Sequence, residues 1–182
     1  MKDSALIVVD MLYDFIDGSL ACQQAPEAVA ATVDYIGQYK GPILWIQDHH
    51  PANHSSFAEY GGPWPPHCVQ GTHGADIHED LRQFVNEDLC FFKGEDPATE
   101  QYSGFEGKNA AGQSLAEVLD LLEIDRIVVC GIATEFCVRN TAEDLMKAGF
   151  KVSVLKDCLA YVDAEGHKKA LEEMASEGIR LI

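Results

Sequence analysis

The chain contains no CxxC pair. Its six cysteines, Cys22, Cys68, Cys90, Cys130, Cys137 and Cys158, are scattered, which fits reduced cytosolic thiols better than a disulfide framework or a thiolate zinc site. Long apolar runs are missing too. The run at residues 5–9 is cut short by Asp10, too brief for a secretory signal, and no stretch approaches a membrane span. Basic residues are scarce: 13 lysines and arginines against 30 acidic residues, a formal net charge of −17. Such a surface repels phosphate backbones and anionic lipid, which argues against nucleic-acid and membrane partners. A cytoplasmic protein with a small-molecule substrate is the expectation, and a homo-oligomer is compatible with it. No internal repeat or low-complexity linker divides the 182 residues, of which 47% are apolar. Residues 1–182 are therefore read as a single domain with one sizeable core.

What the chain does have is alternation. Apolar strand patterns at 5–10, 42–48, 89–93, 126–131, 151–156 and 179–182 interleave with helical patterns at 26–39, 114–122, 134–148 and 164–177. Repeated β/α units predict an α/β fold: a doubly wound, mostly parallel six-stranded sheet with helices on both faces. Residues 49–80, rich in Pro, Gly and His, read as a long loop, a length that in compact domains is usually functional.

Sheets of this kind bind ligands at the carboxyl ends of their strands. There the sequence puts Asp10 after strand one, Asp48 and His50 after strand two, Lys93 after strand three and Cys137 after strand four. Cys137, in the first turns of a helix, is the best nucleophile: the helix dipole and a nearby cation favour thiolate. Lys93 supplies the charge and Asp10 a base, provided they meet in space. The turn at 131–137 can aim several N–H groups at a developing oxyanion. A second group is Asp48, His50 and His67, which suits one divalent metal, zinc first, with Mn or Fe as alternatives. On an extended segment His49 points away from this set, while His54 and Glu59 both stand as a fourth ligand. His73, His78 and His167 read as incidental. Phe15, Trp64 and Tyr102 could sandwich a flat ring.

Several stretches now line up: Asp10 with Asp14-Phe15, Asp48-x-His50-Pro51, WPPHCVQGT from Trp64, Lys93-Gly94, YSGF at 102–105 and GIATEFCV from Gly131. Together they resemble the isochorismatase-like cysteine hydrolases, and among these the nicotinamidases (pyrazinamidases), over nearly the whole chain. The resemblance implies that Cys137 attacks the carboxamide carbon of nicotinamide, with Asp10 and Lys93 completing a triad. A thioester would then be hydrolysed to nicotinate, a reaction of NAD salvage. It also implies an oxyanion hole from the N–H groups of Ala133 and Cys137, and a cis peptide at Ile132–Ala133. Phe15 and Trp64 would flank the ring, with Tyr102, Ile132 and Ala133 against the substrate. The metal on Asp48, His50 and His67 would take the pyridine nitrogen. Leu12 and Tyr13 depart from the Gln and Asn of many relatives. Two other readings stay open: an amidohydrolase of the same superfamily acting on a carbamoyl or ureido compound, and a non-catalytic metal- or ligand-binding protein on this scaffold.

Overall fold

The computed structural model describes residues 3–182. In chain order its elements are β1 (Asp3–Val9), α1 (Tyr13–Ile16), α2 (Ala25–Gln38), β2 (Ile43–Asp48), α3 (Glu79–Arg82), β3 (Cys90–Lys93), α4 (Leu115–Leu121), β4 (Ile124–Gly131), α5 (Arg139–Lys147), β5 (Lys151–Leu159), α6 (Ala164–Glu177) and β6 (Arg180–Leu181). The six strands form one sheet in the order β3-β2-β1-β4-β5-β6. Every pairing is parallel, so the expected mostly parallel sheet is wholly parallel. This is the doubly wound order, with its topological switch point between β1 and β4.

Period 2 in β1 divides the core. Leu6 and Val8 pack into the cluster that includes Ala25, Ala28 and Val29 of α2. Ala5, Ile7 and Val9 face the opposite layer, with Leu119 of α4, Leu145 of α5 and Met174 of α6. A strand buried on both faces reads as a continuous apolar run, which is why no polar residue interrupts Ala5–Val9. Helix ends follow local chemistry. Ser114 and Glu117 close a reciprocal capping box on α4, Asp163 caps α6 through the Gly166 N–H, and Gly178 ends α6 in the left-handed conformation at φ +101°.

Three expectations need correction. β5 runs on to Leu159, beyond the predicted residue 156, because Gly131 and Leu159 pair past a register shift. The helix predicted over 134–148 starts as a π-helical turn, Thr134–Val138, before α5. The stretch 49–80 is not structureless: it holds 3-10 turns at Ala58–Tyr60 and His73–Ala75 and the start of α3. No helix among the described residues is long and apolar enough to cross a membrane.

Candidate active site

The carboxyl edge of β3, β2, β1 and β4 gathers the predicted groups. Asp10 leaves β1 at φ +49°, its N–H held by the Ile46 carbonyl at 2.9 Å. That kink aims the carboxylate sideways across β2, where Oδ1 accepts the Asp48 N–H at 2.8 Å. Lys93 ends β3 in register with Asp48 and is 1% exposed. Its Nζ lies 3.0 Å from Asp10 Oδ2 and 3.4 Å from Cys137 Sγ. It also donates to Asp48 Oδ1 and to the Gln101 carbonyl. Cys137 reaches the same spot from the π-helical turn after β4. One ammonium thus touches two carboxylates and a thiol.

Burial and charge compete at each group. Burial raises the Asp10 carboxyl, Lys93 opposes and Asp48 reinforces, and the outcome is a pKa raised to about 6. Burial also acts upward on Asp48, but the Lys93 ammonium, the largest opposing charge, holds that carboxyl well below its usual range. Burial works against the Lys93 charge, yet Asp10 and Asp48 keep its pKa well above the ordinary value. At Cys137 burial works against the expected thiolate. Desolvation, joined by the Asp10 and Asp48 charges, exceeds the pull of Lys93 and raises the thiol well above its ordinary value.

The imidazole set lies on the other side of Asp48. Asp48 Oδ2 is 3.3 Å from His50 Nε2 and 3.8 Å from His67 Nε2. Each ring is fixed from behind by a carbonyl, His50 Nδ1 by Gly94 at 2.9 Å and His67 Nδ1 by Pro65 at 2.8 Å. A carbonyl can only accept, so each Nδ1 carries the hydrogen and each Nε2 lone pair turns toward Asp48. Gly94, at φ +69°, makes room for this, since a Cβ there would come within 2.4 Å of the His50 ring. His50 Nε2 is buried without a hydrogen-bond partner. An orphaned imidazole nitrogen beside a carboxylate oxygen and a second imidazole is the donor set of a divalent cation, with the outer hydrogen bonds such ligands require. The three ligand atoms lie within 4.8 Å of one another, so these residues fit the ion. Asp10, Asp48 and Cys137 are equally close, but the Lys93 ammonium already sits among them.

Neither proposed fourth ligand joins. His54 is fully buried with its ring 4.1 Å from that of His50. Both its nitrogens are engaged, Nδ1 by Ser56 and Nε2 by the Thr99 carbonyl. Glu59 is exposed on a 3-10 turn. His49 does point outward, to Glu95. His73 lies tilted against Tyr13, His78 caps α3, and His167 bonds Thr134.

A cavity of about 370 Å³, counting its open mouth, lies over Cys137 and is walled by Phe15, Trp64, Tyr102 and Ala133. Trp64 Nε1 donates to the Tyr102 hydroxyl at 3.2 Å. The peptide Ile132–Ala133 is cis. Ile132 itself does not reach the cavity: its side chain is sealed in the apolar core and its N–H is held by the Val9 carbonyl. Phe136, edge-on to Trp64 at 5.2 Å, and Glu100 also line the cavity, and neither was anticipated. The one sequence signal for Phe136 was its adjacency to Cys137.

An open parallel sheet with acid, amine and thiol at its switch point defines an isochorismatase-like protein. The sequence pattern of the Isochorismatase domain matches residues 4–182, and the chain belongs to that family. It is 40% identical to the nicotinamidase/pyrazinamidase of Mycobacterium tuberculosis, over 98% of this chain and 97% of that protein. Its fold is similar to the pyrazinamidase of Pyrococcus horikoshii solved in complex with zinc: TM-score 0.86, 42% identity, 98% of each chain covered. It is also similar to PnC1 of L. infantum in complex with nicotinate: TM-score 0.89, 36% identity, covering 100% of this chain and 92% of that one.

Proposed function

We propose that this protein is a nicotinamidase, hydrolysing nicotinamide to nicotinate and ammonia, and pyrazinamide likewise, in the cytoplasm. The observation that carries this reading is the buried ammonium of Lys93 meeting Asp10, Asp48 and Cys137, the last two of which line an aromatic-walled cavity. The carboxylate of Asp10 takes the Cys137 proton as sulfur adds to the carboxamide carbon, and Lys93 neutralises the charge that develops on sulfur. The N–H groups of Ala133 and Cys137 hold the oxyanion. Asp10 returns the proton to the departing ammonia, then deprotonates the water that cleaves the thioester. Trp64, Phe15 and Tyr102 orient the ring. Asp48, His50 and His67 would hold one divalent ion, zinc before Mn or Fe, which when bound supplies a Lewis acid for the ring nitrogen and so fixes substrate orientation.

Purified protein supplied with nicotinamide should release ammonia stoichiometrically with nicotinate; a zinc-replete sample that releases none removes the reading. Stripping metal with a chelator should lower turnover by loosening substrate orientation, and added Zn²⁺ should restore it. His67→Ala should lose bound metal in elemental analysis.

The pH dependence has a fixed sign. Asp10 works as a base only when ionised, and burial holds its pKa near 6. Activity, measured as kcat/KM, should therefore be full above that value and fall about tenfold per pH unit below it. A profile still flat at pH 5 would assign the base elsewhere.

A further inference from the structure

Residues 13–20, α1 and the turn after it, stand outside the acid–amine–thiol group yet grip the metal loop on both sides of His67. Asp14 Oδ2 accepts the Cys68 N–H at 2.7 Å. Ser19 Oγ donates to the Pro66 carbonyl at 2.7 Å. These are the two residues flanking His67 in the chain. The two grips are themselves joined, because the Ser19 N–H approaches Asp14 Oδ1 at 3.3 Å. Cys68 is fully buried at φ +47°, a left-handed conformation that a residue with a side chain keeps only when its surroundings hold it. Farther along the same loop, Gly74 lies flat on the carboxylate: a Cβ there would come within 2.0 Å of Asp14 Oδ2.

We infer that Asp14 and Ser19 are positioning residues for His67, a clamp that holds its imidazole aimed at Asp48 and His50 before any cation arrives. Without the clamp, the cation would have to order the loop from Pro66 to Gly74 as it binds, and that lost conformational freedom would subtract from affinity. The same segment carries Phe15, whose ring is 5.4 Å from that of His67, so the pocket wall and the metal loop are in contact there. The inference rests on the metal reading above.

The test uses the full chain stripped of metal and titrated with Zn²⁺ alone against a chromophoric competitor. Asp14→Ala should raise the zinc Kd at least about tenfold, the usual effect of removing an outer-shell partner. Ser19→Ala, which deletes one exposed hydroxyl, should raise it about threefold with no change in the melting temperature of the metal-free form. Asp14→Asn keeps an acceptor oxygen and should fall between wild type and Asp14→Ala. The absorption bands of the Co²⁺-loaded form should shift in both alanine variants. A wild type that binds one zinc, with both alanine variants within twofold of it, overturns the clamp alone. A wild type that binds no zinc overturns the metal reading and the clamp with it. Ser19→Ala carries the test if Asp14→Ala does not fold.

Discussion

Replacing Cys137 with alanine should abolish ammonia release, lowering kcat by at least about 10⁴-fold, while the protein stays folded. The size follows from covalent catalysis: without sulfur no thioester forms, and the remaining pocket groups only bind and polarise the amide. Retention of the fold follows from packing. Cys137 is 5% exposed inside the second core layer, and alanine removes a single heavy atom from a contact that Lys93 shares with Asp10 and Asp48. Intact mass spectrometry of wild type with a slow amide should catch the acyl adduct, and the variant should show none. Activity within tenfold of wild type would assign the nucleophile to another group.

Lys93→Met carries the largest expected loss of stability. It leaves the carboxylates of Asp10 and Asp48, 0% and 4% exposed, facing each other without their cation. Removing one partner from a buried ionic cluster is destabilising by about 3–5 kcal/mol. In the intact protein Lys93 offsets the burial that acts upward on both carboxyls. Without it both must titrate at higher pH. Stability in the variant is then worst at neutral and alkaline pH, where both are ionised, and recovers as pH falls and one takes a proton. Denaturant titrations of metal-free protein at pH 7.5 and pH 5 measure this directly. An equal loss at both pH values would show that methionine fails for reasons of shape rather than charge.

The sheet and its chemical edge were legible because both are encoded locally. Apolar runs stop at Asp10, Asp48, Lys93 and Gly131, and parallel connectivity forces those stops onto one edge. Spacing also put His50 beside Asp48 and turned His49 away, since period 2 acts within a strand and its continuation. What escaped depends on contacts between distant segments. The upward push on the Cys137 thiol comes first from its burial, with two carboxylates adding to it and one ammonium opposing it, and no local pattern records that depth. His54 has the composition of a ligand, yet Ser56 and Thr99 already occupy its nitrogens. The same holds for Asp14, whose partner Cys68 is a loop away, and for Glu100, which reaches the cavity from a turn with no regular period.

The strand order has a consequence for how the polypeptide is made. β1 is central, flanked by β2 on one side and β4 on the other. On the ribosome β2 follows quickly, whereas the opposite flank stays open until Ile124–Gly131 has been synthesised. Throughout that interval an apolar ribbon, Ala5–Val9, presents unpaired backbone to whatever it meets. Nascent chains of this protein should therefore depend on holding chaperones more than their size suggests, and products truncated before β4 should be sticky as well as inert.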